Sequence, residues 1–387
     1  MTLAAALLAV AFAGLACAWS PARWAASVPQ IGILALAAVY AILLIRRRLP
    51  LPHPAVLPVL GIAGIGAIQL VLGASLYPWQ TSEATLYWLT NLAAFAAASS
   101  LAQDPKTGRF LLKWLFLLGI GLAFLSVVQN FTSDGRAFWL FDTGFPDSVF
   151  GPFVYKNQYA AFLELLLPVA WAGALLADQR RWTYLLVTAA LLACSVASSS
   201  RAGLLIACAE VVIVIAILVV RVGGRRLIQT FGILFVLVAG FAAVVGPETI
   251  WARLQDRDPY STRRDMTAAS VAMFRDRPLA GFGLGVWPTV YPKYATEDDG
   301  LFANQAHNDW AQIAVEGGVP GLACFLAFFF WALWRGGRGA WAIGVAAVLL
   351  HALVDYPIQR QALGVFFFLF AGAATGRGPR DPVVFLL

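Results

Sequence analysis

Long apolar runs separated by short polar connections dominate the chain, and about 20 mostly apolar residues suffice to cross a bilayer as a helix. Twelve such runs are legible. They lie at 3–19, 26–45, 56–74, 84–102, 110–129, 159–177, 183–200, 202–220, 227–246, 318–334, 340–356 and 363–375. The pattern predicts an all-α polytopic membrane protein with about twelve transmembrane helices, forming one integral membrane domain over residues 1–387. Two polar stretches exceed what a connection needs, 130–158 and 247–317, and the second is inserted between predicted spans 9 and 10. Within it Met266, Ala269, Val271, Ala272, Met273 and Phe274 recur at helical spacing and predict a helix over 262–276. Ser261 or Thr262 marks its start, with Asp265 placed to complete a cap. Pro278, Gly281, Gly283 and Gly285 mark its stop.

Composition agrees with the pattern. The chain is 60% hydrophobic and 12% charged with mean hydropathy +0.77, against about 25% charged residues in soluble domains. Basic residues set the orientation, since cytoplasmic connections are enriched in them. Arg46–Arg48, Lys106 with Arg109, Arg180–Arg181, Arg221 with Arg225 and Arg226, Arg335 with Arg338, and Arg377 with Arg380 all fall on one side of the predicted spans. Both termini are therefore expected in the cytoplasm and 247–317 outside. The net charge of +7 is mostly this signature; no basic patch with interleaved aromatics points to nucleic acid, and membrane lipids are the expected neighbours. The N-terminus lacks a basic region before Ala16-Cys17-Ala18, so it is expected to be the first helix and not a cleaved signal. Cys17, Cys194, Cys208 and Cys324 sit in apolar runs without CxxC spacing and are expected to be small buried hydrophobes. The cytoplasmic connections are too short for an ATP-binding domain and contain no P-loop. Gly281-Phe282-Gly283-Leu284-Gly285 follows a helix, not a strand, and reads as a tight turn.

Candidate chemistry gathers on the outer side. His307 lies among Asn304, Gln305, Asn308, Asp309 and Glu316, and imidazole exchanges protons near neutrality. Arg201 follows three serines between two apolar runs, either reaching to lipid phosphate or forming a small polar hairpin for a ligand headgroup. Arg263 and Arg264 open the loop helix, where the positive dipole end favours an anion, unless they are simply solvated. Lys156 is a further outward cation. Asp256-Arg257-Asp258 and Glu297-Asp298-Asp299 offer oxygen ligands, but a loop salt bridge is the expected use and no metal is called for. His351 and Asp355 are four apart, on one face of a helix, as a buried pair or facing substrate. His53 is expected to be incidental.

His307-Asn308, nine residues and Gly318-x-x-Gly321 resembles the signature of the O-antigen ligases and their polymerase relatives. Arg201-Ala202-Gly203-Leu204-Leu205 is similar to their arginine, three residues, leucine motif. Gly151 to Pro168 with Asn157, Pro278-Leu279-x-Gly281-x-Gly283, and His351 to Asp355 extend the resemblance over Gly151 to Pro357. The resemblance implies a GT-C-like, multispanning glycosyltransferase of the bacterial inner membrane with a periplasmic site. It implies transfer of a glycan from an undecaprenyl-diphosphate carrier to an acceptor hydroxyl, with inversion and with no metal or other cofactor. His307 takes the position near the reacting acceptor. Arg201 and Arg263 or Arg264 take the diphosphate, with Lys156 as a further candidate. Asn157, Asn308, His351 and Asp355 are supporting or substrate-facing. Ligation to lipid A–core is the leading expectation and polymerisation onto a carrier-linked acceptor its close alternative. Transport of an anion or glycolipid, which twelve spans with buried ions would also fit, is the alternative from another class.

Overall fold

The computed structural model describes residues 1–144, 149–245, 261–296, 300, 302–336 and 339–376. Each of the twelve apolar runs is helical. The first half holds α1 (Thr2–Cys17), α2 (Arg23–Ile45), α3 (Val56–Val71), α4 (Pro78–Leu101) and α5 (Pro105–Thr132). The sixth run is split into α6 (Lys156–Glu164) and α7 (Leu167–Leu176). Pro168 explains the split, because it has no N–H to donate to the carbonyl of Glu164. Then come α8 (Arg181–Ser198), α9 (Arg201–Leu218) and α10 (Gly224–Val245). The segment 247–317 carries α11 (Ser261–Asp276), close to the predicted 262–276, and the short α12 (Trp287–Val290). The chain ends with α13 (Asp309–Gly336), α14 (Ala340–His351) and α15 (Gln361–Ala373).

By length and hydropathy α2, α5, the joined α6–α7, α8, α9 and α13 are able to cross a membrane. Helices α1, α3, α14 and α15 are apolar but shorter. Large apolar side chains on the outer faces, among them Ile31, Ile42, Val71, Val212 and Phe235, are exposed, which is the surface a lipid environment selects. In contrast, 94% of the α6–α7 span is buried, and α14 and α15 are buried almost throughout. These three elements form the centre. Gly344 of α14 lies where an added Cβ would be 2.7 Å from the Glu164 carbonyl, so α14 approaches α6 closely at the carbonyl that Pro168 leaves without its helical partner.

Several expectations need correction. A two-residue antiparallel ribbon, β1 (Arg136–Ala137) with β2 (Phe141–Asp142), interrupts the all-α pattern in the segment 130–158. The run at 318–334 is the second half of α13, which starts at Asp309 and is broken at Gly318, φ 63° and ψ −161°. Of the cysteines only Cys194 is buried; Cys208 is exposed and Cys17 and Cys324 are half-buried, all four being free. The polar groups are not confined to the outer segments, since Glu164, Glu210 and Glu316 are buried within helices. His53 shapes its turn, its Nδ1 accepting from the Ala55 N–H at 3.1 Å. Asp256–Asp258, Glu297–Asp299, Arg338, Arg377, Arg380 and the side chains of Ser261 and Thr262 lie outside the described residues.

Candidate active site

Three separate segments deliver their side chains to one end of the bundle. In the first, Gln129 near the end of α5 organises the segment 130–158: its Nε2 donates to Gly151 O at 3.1 Å and its Oε1 accepts from Phe138 N at 2.7 Å. Phe150 stacks on Tyr159 of α6 with centroids 4.8 Å apart. Tyr155 is thereby fixed just before α6, with Lys156 and Asn157 in the first turn. In the second, α14 stops at His351 and a turn follows, the N–H groups of Val354 and Asp355 both donating to His351 O at 3.0 and 3.1 Å. Pro357 then forbids helix continuation, and Asp355 and Tyr356 project from the turn.

The third segment runs from α11 to α13. Its glycine turn is woven into the break in α13: Phe282 N donates to Val315 O at 3.0 Å, Gly283 N to Glu316 O at 3.2 Å, and Val319 N to Pro278 O at 2.7 Å. Gly318 has a left-handed φ, and a Cβ there would meet Leu279 O at 2.5 Å, so glycine is required. The turn is structural, as the sequence suggests. Asn308 caps α13, its Oδ1 accepting from Ala311 N at 3.0 Å. His307 immediately precedes it with φ 50°, a left-handed conformation uncommon outside glycine and typical of strained functional positions.

Asp355 is the hub of the cluster. Its Oδ1 accepts from Tyr356 N at 2.8 Å, and its Oδ2 accepts from Asn157 Nδ2 and lies 3.4 Å from an Arg263 Nη2. The same arginine nitrogen donates to the Tyr155 hydroxyl at 2.7 Å, and Arg263 Nη1 donates to Val354 O at 2.7 Å. His307 Nδ1 stands 3.8 Å from Asp355 Oδ1, too far for a hydrogen bond, and the Tyr356 ring packs edge-on to the imidazole at 4.7 Å. Burial, reinforced by the Arg263 charge, pushes the imidazole pKa down to about 4. His307 is therefore neutral at physiological pH, the form that accepts a proton. Burial pushes the Asp355 carboxyl up, opposed first by the Arg263 charge.

The structure brings His307, Arg263, Asn157 and Asp355 into one cluster. Arg201 opens α9 and Lys156 opens α6. Both are half-buried, and the two helix starts adjoin, since a Cβ on Gly203 would lie 2.5 Å from that of Ala160. Arg264 is exposed beside Arg263. The expected His351–Asp355 pair is replaced: His351 is fully buried and its Nδ1 lies 2.6 Å from Glu164 Oε1. Asp355 keeps its N–H on His351 O at 3.1 Å but turns its carboxylate to Asn157 and Arg263. Tyr155, Tyr356 and Glu164 are the neighbours that sequence reasoning missed. The two tyrosines lie inside the segments that carry the resemblance, but nothing in their spacing marks a role. Among the described residues no three His, Cys, Asp or Glu side chains gather as metal ligands would.

The cluster can be compared with known proteins. Residues 185–326 match the family model Wzy_C, described as O-Antigen ligase. That segment is similar to the O-antigen ligase family. The O-antigen ligase segment runs from α8 into α13 and contains Arg201, Arg263, Arg264 and His307; Lys156, Asn157, His351 and Asp355 lie outside it. It supports a ligase- or polymerase-type role in lipopolysaccharide biosynthesis at a membrane. No curated protein matches the chain.

Proposed function

We propose that the chain is an inverting, metal-independent membrane glycosyltransferase. It moves a glycan from an undecaprenyl-diphosphate carrier to a hydroxyl of lipid A–core on the periplasmic face of the inner membrane. The supporting observation is His307 at 3.8 Å from Asp355 with the Arg263 guanidinium on the same carboxylate, His307 and Arg263 both lying inside the segment that matches the ligase family. The reading includes twelve spans, cytoplasmic termini and a GT-C-like arrangement.

In this mechanism His307 removes the proton from the acceptor hydroxyl. The oxygen attacks the anomeric carbon on the face opposite the diphosphate, so configuration inverts. The bond from that carbon to the diphosphate oxygen breaks, and its electron pair leaves on the diphosphate. Arg263 and Arg201, with Lys156 at the rim, place positive charge where that negative charge develops, the effect that lowers such barriers most. Asp355 stabilises the imidazolium electrostatically as it forms, across the 3.8 Å separation.

The deciding assay supplies purified protein with undecaprenyl-diphosphate-linked glycan, with lipid A–core present or withheld, and resolves the products. Glycan appearing on lipid A–core when it is supplied is the expected result. Longer carrier-linked chains in its absence identify a polymerase. No product in detergent, where no gradient exists, would overturn the enzyme reading in favour of transport.

A further inference from the structure

The first turns of α13 bury a polar face where a membrane helix ordinarily buries apolar groups. Asp309, Gln312 and Glu316 are three and four residues apart and so share one side of the helix. Each is at most 2% exposed, and each grips a different piece of chain. Asp309 Oδ2 accepts from Ile358 N at 3.0 Å, while its own N–H points at the carbonyls of Ala352 (2.8 Å) and Asp355 (3.2 Å). Gln312 Oε1 accepts from the N–H of Ala306, the residue before His307, at 3.1 Å. Glu316 Oε1 accepts from Gln312 Nε2 at 3.0 Å and from Trp287 N at 3.3 Å. The Glu316 carbonyl also takes Gln69 Nε2 at 2.8 Å and Gly283 N at 3.2 Å.

We propose that this face sets the reacting geometry: Asp309, Gln312 and Glu316 are positioning residues that fix His307 against Asp355 through the backbones on either side. The inference rests on the reading of His307 as the general base. No bond links His307 to Asp355 at 3.8 Å, so their separation is not fixed by the pair itself. It is fixed by what holds Ala306 on one side and the 352–358 turn on the other. Gln312 does the first and Asp309 the second, and Glu316 ties Gln312 to the residues following the glycine turn. The arrangement gives the nine-residue spacing between Asn308 and Gly318 a physical meaning. Nine helical residues rise about 13.5 Å, or two and a half turns, which accommodates one gripping side chain for each of three segments before the helix must break.

The test uses the full-length protein in lipid nanodiscs with two readouts. One is transfer kinetics. The other is the rate at which diethylpyrocarbonate modifies His307, followed by mass spectrometry and needing no substrate. Gln312→Met keeps the length of the side chain and removes its acceptor for the Ala306 N–H. It is expected to lower kcat about 100-fold, the scale of a 1 Å misplacement, with KM for the carrier-linked donor unchanged within about twofold. His307 modification should become at least about threefold faster, while buried His351 stays unmodified. Gln312→Asn, one methylene short, is the second variant and should move both readouts the same way if Gln312→Met does not fold. Unchanged kcat with unchanged His307 modification overturns the proposal, as does parallel modification of His351, which marks general loosening. If the wild type transfers no glycan the functional reading fails, and the modification rates still decide the positioning claim.

Discussion

His307 loses the stability of its charged form to burial and to the Arg263 guanidinium, so the imidazole is neutral above about pH 4. The sign follows directly. A lowered pKa leaves the base available throughout the neutral range and removes it only on acidification through the folded value. The acid limb of kcat/KM, which reports the free enzyme, should therefore lie near pH 4 and not near the ordinary histidine value. A limb near 6.5 would show that His307 is not the titrating base. Arg263→Gln removes the smaller of the two causes and should move the limb upward, alongside weaker donor binding. His307→Ala should leave the protein folded and lower kcat by 10²–10⁴-fold, the usual contribution of a general base. Wild-type transfer by that variant would remove His307 from the chemistry. At this scale the sequence identifies the reacting types but not their partners. His307 and Arg263 are readable because a lone outward histidine and a helix-start arginine each have a local rationale. The contact of Arg263 with Tyr155 joins residues 108 apart in sequence, and no spacing rule reaches that far.

Helix α13 shows what an element adds to its residues. Hydropathy places a span at 318–334, and the polar first turns from Asp309 escape it because Asp309, Gln312 and Glu316 are buried against chain segments and not against apolar helices. The break at Gly318 frees carbonyls that the turn at 278–283 then satisfies, as buried backbone groups require. Gly318→Ala demands a left-handed φ from alanine and drives its Cβ to 2.5 Å from Leu279 O. A cost of roughly 1–3 kcal/mol should appear as a lower melting temperature in detergent, with transfer lost because His307 sits one helix-start away. Gly64→Ala in α3 is the control, as no atom lies within 4 Å of the added Cβ; it should be neutral or mildly stabilising. Equal melting temperatures for the two variants would mean that the glycine turn does not brace α13. The turn itself is legible from Pro278 and three alternating glycines. Its docking onto α13 is not, because the docking uses backbone groups that carry no residue identity.

At the scale of the whole molecule, charge and chemistry separate to opposite ends. The cluster around Asp355 is built from segments 150–157, 261–308 and 352–358. The first two are predicted outside by arginine and lysine placement. The third lies largely inside the predicted span 340–356, and the structure frees it by ending α14 at His351. The other end holds interhelical basic contacts: Arg335 to Ala374 O at 3.1 Å, Arg181 to Thr230 Oγ1 at 2.8 Å, and Arg226 with Asp178 at 2.8 Å. Hydropathy reads the helices well because lipid imposes a local demand on each span, whereas which helices become central depends on packing between distant runs. The placement of α6–α7, α14 and α15 at the centre is written in no single segment. Orientation remains a physical claim with a direct check. Leu140, beside the outer ribbon, and Leu51, in the turn after α2, are each 75% exposed, so cysteine at either position should react freely with a membrane-impermeant maleimide. On intact spheroplasts Leu140→Cys should label and Leu51→Cys should not, and lysis should expose Leu51→Cys. Cys17, Cys194, Cys208 and Cys324 are replaced by alanine in both variants, so that only the introduced thiol reacts. A reversed pattern would put the His307 cluster in the cytoplasm, where a periplasmic acceptor such as lipid A–core could not reach it, and would overturn the transfer reaction together with the topology.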